Sequence, residues 1–219
     1  MCGRYVLFSE IDDVRPLLSR RLGSAEVPVV GEQSGSGMWR PNYNVAPSHV
    51  VPIVRPFRQR PTIGPARWGY PPKTVFNARG ETVLSKPLFR GSRPCLFVMD
   101  GWYEWTADGA AKQPWFTSSS DGEPLLVAGM CKLIEGQLYG TIVTTAAPED
   151  MAWLHHRMPR VLVEGEEDEA AEWLLGTPTT AAQLAARPGA QHWPQLESQK
   201  VSRAVGNVAN NGPELLEPE

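Results

Sequence analysis

Apolar residues along the 219-residue chain gather in short clusters separated by Gly, Pro and polar residues. EIDDVRPLLSRRLG (10–23) has the pattern of an amphipathic helix, with acids in its first turn and Gly23 after its last. VVPIVR (50–55) predicts a short β-branched strand, and CLFVMDGWYEW (95–105) and LLVAGMCKL (125–133) predict further strands. CKLIEGQLYGTIVTTAA (131–147) reads as a hairpin turning at Glu135-Gly136. PEDMAWLHH predicts one or two helical turns after Pro148, and EEDEAAEWLLG and TTAAQLAAR are the clearest helices, the second with a Thr at its N-cap. VPVVGEQSGSGMWRPNYNVAPSH (27–49) reads as a long loop, and the tail from Val201 as irregular.

The 20 Gly and 21 Pro are spread evenly, so they mark no linker or domain boundary. The expectation is one α+β domain over residues 1–219, with curved, mostly antiparallel sheets in a barrel-like core, flanked by helices and long loops. A loop of about 20 residues before Asn44 counts against so compact a reading unless it is functional.

Composition is that of a soluble globular chain, 42% hydrophobic and 21% charged. Acids interrupt the N-terminal stretch too early for a signal peptide, and no run is long enough to span a membrane. A monomer in the cytoplasm is therefore expected, with no membrane partner. Three cysteines without a C-x-x-C pair argue against a disulfide framework or zinc knuckle. Neighbouring His155 and His156 should point to different faces of any regular element, so no metal site or cofactor is expected.

A net charge of −3 argues against a nucleic-acid partner, but the charge is unevenly distributed. Arg55, Arg58, Arg60, Arg67, Lys73, Arg79, Lys86, Arg90 and Arg93 form a strip facing only Glu81, while acids collect from Glu164 onward. Such a strip is either a solvated surface or a phosphate-binding one.

Single residues are ambiguous on their own. Asn77 suits a turn. Glu104, among aromatics in an apparent strand, is either an edge residue facing water or a buried acid with a raised pKa. His155 suits a plain surface. Cys2 follows Met1 at a site where aminopeptidase action would expose an α-amine beside a thiol.

The ordered series MCGRY, YNVAPS, ARWGY, FNARGETV, KPLFR, DGWYEW, IVTTAA, HHRMP and VGNVANNGPELLEP resembles the SRAP family of SOS response-associated peptidase-like proteins. Bacterial and vertebrate members of that family capture abasic sites in single-stranded DNA. The resemblance runs from Cys2 to about Glu217. It implies a nucleophile at Cys2, an active-site asparagine at Asn77, a glutamate at Glu104 and a histidine at His155, the first residue of H-x-R-M-P. It implies phosphate contacts at Arg4 and Arg79, and apolar surface for bases at Trp68 and Pro47. Lys86, Arg90 and Arg157 complete the candidate DNA-binding set. The sequence departs from the family at Val98-Met99, at Pro71-Pro72 and at His156, none within the implied catalytic set.

The implied chemistry explains a cysteine at position two. After loss of Met1, the amine attacks the ring-opened sugar aldehyde to give a Schiff base. The adjacent thiol then adds to the same carbon and closes a thiazolidine. A free amine titrates near ~7.7–8.0 and a thiol near ~8.5, so a neighbouring base, Glu104 or His155, is needed. The expected partner is single-stranded DNA with abasic sites, including junction ends, bound without base-specific readout. In a bacterium this would place the protein at the nucleoid. Rival readings are a cysteine peptidase limited to N-terminal self-processing, a noncovalent single-strand binder, and a secondary lyase activity through β-elimination.

Overall fold

A computed structural model describes residues 2–31, 39–109, 111–165, 168–187 and 196–219. Met1, whose removal the sequence reading expects, and the centre of the predicted long loop, 32–38, lie outside the described residues. In chain order the first strands are β1 (Arg4–Leu7), β2 (Asn42–Val45), β3 (Val50–Phe57), β4 (Arg60–Trp68), β5 (Asn77–Arg79) and β6 (Arg93–Met99). They are followed by β7 (Gly101–Asp108), β8 (Ala111–Ser119), β9 (Leu125–Ile134), β10 (Gln137–Ala146), β11 (Arg157–Pro159) and β12 (Leu196–Lys200). The helices are α1 (Ile11–Leu22), α2 (Gly80–Val83), α3 (Glu169–Leu175) and α4 (Pro178–Ala186).

Strands β10, β4, β3, β6 and β9 pair in that order, and β9 pairs back to β10, closing a five-stranded barrel. Its pairings are antiparallel except β10 with β4. Strand β5 takes over from β4 along β10: Gly140 faces Trp68, and two residues later Ile142 faces Asn77, also in parallel. A second sheet, antiparallel throughout, has the order β12-β8-β7-β1-β2. The expected α+β fold with a barrel core is therefore present.

The two sheets share one core. Tyr5 of β1 packs edge-on against Trp68 of β4 at 5.1 Å between ring centres and against Phe97 of β6 at 6.4 Å. Gly129 of β9 makes room for Phe97, because a Cβ there would stand 2.6 Å from the ring. Helix α1 buries Val14, Leu17, Leu18 and Leu22 and ends on Gly23 in the left-handed region, as its sequence implies. Trp173 of α3 is buried and donates its Nε1–H to the carbonyl of Cys95 at 2.9 Å. Among the described residues, no helix is long and apolar enough to cross a membrane.

Several predicted elements sit differently. The run 95–105 is two strands, one in each sheet. The chain crosses between them at buried Asp100, whose carboxylate accepts from the backbone amides of Phe8 at 2.6 Å and Ser9 at 3.0 Å. The predicted hairpin is correct: Glu135 (φ 49°) and Gly136 (φ 81°) form a two-residue turn of the kind that matches strand twist. Segment 149–154 makes successive turns rather than a helix, with i to i+3 bonds from Met151 to Pro148 and from Leu154 to Met151. Helix α4 starts earlier than predicted, with Thr177 as its cap and Pro178 in its first turn.

Candidate active site

Cys2 lies two residues before β1, the strand between β7 and β2 in the second sheet. The β1–β7 register sets Arg4 opposite Tyr103, so the chain ahead of Arg4 runs toward Glu104. Cys2 is buried, with Sγ 3.6 Å from the carbonyl of Arg4. Asn77 approaches from the barrel, at the first position of β5, and its Nδ2 donates to the Cys2 carbonyl at 2.7 Å. Its Oδ1 is buried and has no hydrogen-bond partner among the described residues.

Glu104 lies on β7 opposite Trp115 of β8 and is buried, which resolves its two sequence readings in favour of the buried acid. His155 sits just before β11, where its Nδ1 accepts the backbone N–H of Arg157 at 2.9 Å. The same Nδ1 lies 3.0 Å from the Arg157 carbonyl, so the ring is held through Nδ1 in either tautomer. Glu104 and His155 share the wall of a small cavity with Trp102, Met151, Leu154 and Met158. Its volume is ≈ 10 Å³, about enough for one water.

Burial disfavours charge throughout the site. It pushes the Cys2 thiol well up, and the Glu104 charge adds to the effect. The Glu104 carboxyl is also raised by burial, against an opposing positive charge at the amino end of the chain. Burial lowers the His155 imidazole. A thiol, a carboxyl and an imidazole that resist charging can hand a proton on when an electrophile arrives.

A family profile described as SOS response associated peptidase (SRAP) matches residues 1–208. The chain belongs to the SRAP family. It is 34% identical over 236 residues to the abasic site processing protein YedK of Escherichia coli K12, covering 100% of both chains. It is 32% identical over 235 residues to YoqW of Bacillus subtilis, covering 99% of each. The abasic site processing protein HMCES of Gallus gallus is 32% identical over 234 residues, covering 83% of this chain and 67% of that one. A Bacteroides thetaiotaomicron protein of known crystal structure shares the fold with a TM-score of 0.73 at 19% identity, covering 100% of both chains.

All four residues that carry the SRAP motifs converge. Cys2 touches Asn77, the Glu104 charge acts on Cys2, and Glu104 meets His155 at the cavity. The rings of His155 and His156 stack at 4.3 Å, contrary to the expectation that they diverge. They stand in a bend outside any strand or helix, where alternation does not apply.

The implied DNA-binding residues of the SRAP pattern divide into two groups. Arg79, Lys86 and Arg90 are exposed and Pro47 partly so. Arg79 stands two positions beyond Asn77 on β5, hence on the same strand face. Arg4 is tied to Asn44 Oδ1 at 2.7 Å and to the Val205 carbonyl at 2.8 Å, and so holds the C-terminal segment as well. Two assignments need correction. Trp68 is 0% exposed, with its Nε1–H donated to the Phe76 carbonyl, so it is a core residue and presents no face to a base. Arg157 is buried, forming a two-pronged pair with Glu81 and donating to the Thr144 carbonyl at 2.6 Å. Its guanidinium secures β11 to β10 and is closed to a phosphate.

The sequence reading overlooked an aromatic pair made of exposed Trp153 and half-buried Trp115. Trp153, 53% exposed, packs edge-on against Trp115 at 4.8 Å, and the Lys200 ammonium lies 5.6 Å from the Trp115 ring centre. Trp115 is the cross-strand partner of Glu104, and Trp153 belongs to the segment that supplies Met151 and Leu154 to the cavity. The available signal was a tryptophan in PEDMAW, three positions after an acidic pair and just ahead of HHRMP.

Proposed function

We propose that this SRAP protein processes abasic sites in DNA by covalent capture through Cys2. Once Met1 is removed, the Cys2 amine condenses with the ring-opened deoxyribose aldehyde, one water leaves, and a Schiff base forms. The thiol then adds across the C=N bond, its proton passing to nitrogen, and a thiazolidine results. The observation that carries this reading is the meeting of Cys2, Asn77, Glu104 and His155 at the seam of the two sheets. The names of the relatives, abasic site processing proteins, supply the substrate.

Each residue has a role in this reading. Asn77 fixes the Cys2 backbone through Nδ2 and offers its unpartnered Oδ1 to the sugar or the iminium N–H. Glu104, its carboxyl raised by burial, takes the proton from the amine, passes it to the departing water, and then takes the thiol proton and delivers it to nitrogen. His155, kept neutral by burial and anchored through Nδ1 to the Arg157 backbone, assists opening of the sugar ring. The strand is single, since only an unpaired sugar reaches a chain terminus. Arg79, Lys86 and Arg90 meet its phosphates, and the Trp115–Trp153 pair takes over the base-stacking role first assigned to Trp68. The working form is a monomer in the cytoplasm, at the nucleoid in a bacterial cell. Strand cleavage is secondary, because ring closure removes the Schiff base that β-elimination needs.

The test is the intact mass of the purified protein before and after incubation with a single-stranded oligonucleotide carrying one abasic site. Loss of Met1, followed by an adduct that survives denaturation and is absent in Cys2→Ala, is expected. A protein without Met1 that forms no adduct overturns the proposal. Turnover of an unrelated peptide would then favour the peptidase that the family description names.

A further inference from the structure

The barrel end away from Cys2 carries a second concentration of charge. There the β3–β4 hairpin turns at Arg58 and Gln59, both with positive φ, and Arg93 opens β6 opposite Cys131 of β9. Arg55, Phe57, Arg58, Arg93, Cys131 and Lys132 line an open pocket of ≈ 470 Å³. Leu138, at its margin, precedes Ile142, the β10 partner of Asn77, by four positions, about 13 Å of strand. The pocket and the cavity between Glu104 and His155 share no lining residue.

Four cations converge here, and among the described residues that line the pocket there is no carboxylate. None of the ion pairs among the described residues involves Arg55, Arg58, Arg93 or Lys132. Like charges usually splay apart into solvent, yet several of these are held in place. The Arg55 and Arg58 guanidiniums lie 4.9 and 5.4 Å from the Phe57 ring centre. The Lys132 ammonium donates to the Arg90 carbonyl at 2.8 Å. Arg55 Nε is buried without an acceptor among the described residues. A desolvated donor of this kind is costly unless a ligand oxygen accepts from it. Guanidiniums fixed in advance match the oxygens of a phosphate in paired fashion.

We propose that this pocket is a phosphate-binding site, separate from the Cys2 site, that holds a phosphate group of a free nucleotide or of a nucleic-acid strand. Cys131 reports its occupancy. Its side chain lines the pocket but is only 5% exposed, and its thiol is held below the ordinary value by its hydrogen bond with Cys95 and, against the effect of burial, by the Arg55 and Arg93 charges. A bound phosphate neutralises those arginines and obstructs the approach, so alkylation of Cys131 slows.

The experiment uses the full chain and undamaged ligands, so its outcome is independent of the covalent reaction. Inorganic phosphate, 5′-dAMP and an undamaged single-stranded oligonucleotide are compared with chloride at matched ionic strength. Binding is measured by equilibrium titration, and iodoacetamide labelling of Cys131 by peptide mass mapping. The variants are Arg58→Asn, which suits the left-handed backbone at that position, its combination with Arg93→Gln, and Lys132→Met. Slower labelling of Cys131, with binding weakened about fivefold or more in the double variant, supports the site. If phosphate and 5′-dAMP do this, the source is a free phosphate compound. If only the oligonucleotide does, and its salt slope falls by about 0.7 per arginine removed, the source is a strand. Unchanged labelling with every ligand, or undiminished affinity in all the variants, overturns the proposal and leaves a solvated basic rim.

Discussion

The side chain of Asn77 donates to the backbone carbonyl of Cys2 at 2.7 Å, and through this bond the barrel grips the second sheet at the proposed nucleophile. Asn77 is held by its parallel pairing with Ile142, while Cys2 leads into a strand bonded on both sides. The position of Cys2 therefore depends on how two sheets meet.

Asn77→Ala removes that grip and the free Oδ1 together. Loss of one such bond, worth about 1–3 kcal/mol, should slow adduct formation about 10- to 100-fold. Binding of undamaged strand should be unchanged. Asn77→Asp should be no better, since an ionised carboxylate cannot donate to a carbonyl. Time courses on denaturing gels give the rates, and a fast Asn77→Asp would assign the role to Oδ1 alone.

Trp153→Ala should weaken single-strand binding by about 1–3 kcal/mol, as expected for the loss of one stacked base, while leaving the melting temperature nearly unchanged. Trp68→Ala should do the opposite. It empties a fully buried site and should cost about 3–5 kcal/mol of stability. Paired titrations and thermal melts separate the two, and loss of DNA binding in a stable Trp68→Ala protein would restore the original assignment of Trp68.

The contrast between these tryptophans shows how far the sequence could be read. The resemblance to the SRAP family pointed to the four residues that converge at the seam, each ambiguous on its own, and the Glu135-Gly136 turn was legible from local chemistry. What determines sheet membership is nonlocal. The run 95–105 looks continuous because its apolar residues are, and only the bonds from Phe8 and Ser9 to Asp100 reveal the crossing. Strand β4 carries Pro61, Gly64 and Pro65, residues ordinarily depleted in strands, and its pairing with β3 in the closed barrel accommodates them. Burial of Trp68 and pairing of Arg157 with Glu81 follow from that closure, so a motif could name these residues without revealing that neither faces solvent.

Arg157 and Arg79 should respond differently to substitution. Arg79→Gln removes an exposed cation and should lower the salt slope of single-strand binding by about 0.7 with little change in stability. Arg157→Gln leaves the Thr144 carbonyl and Glu81 without their donor and should cost about 1–3 kcal/mol of stability, with the slope unchanged. Glu81 is held below the usual carboxylate range, chiefly by its hydrogen bond with Arg157, so the stability from this pair is present above the ordinary carboxylate value. It should fade as pH falls through the depressed one. Melts of both proteins across the acid range, with titrations at several salt concentrations, test each half of the contrast.

Glu104 should have the opposite pH signature. Its folded carboxyl is raised by burial, while in the unfolded chain a glutamate titrates near ~4.3. Below that value both states hold the proton and the residue contributes no pH dependence. As pH rises, the unfolded chain releases its proton first, so stability falls until the pH passes the raised folded value and then levels off. Glu104→Gln escapes this loss, and its melting temperature relative to the native protein should rise as pH climbs from the unfolded value toward the raised folded one. The same carboxyl must lose its proton to act as a base. Native adduct formation should therefore climb with pH over the range where the folded carboxyl titrates, while Glu104→Gln should be flat there and slower by about 100-fold or more. Gln keeps the shape and cannot take a proton, so the variant should be the more stable and the less active protein at neutral pH. A Glu104→Gln protein that loses stability relative to the native one as pH rises above the unfolded glutamate value would show that Glu104 is ionised and paired in the fold, and the role of base would pass to His155.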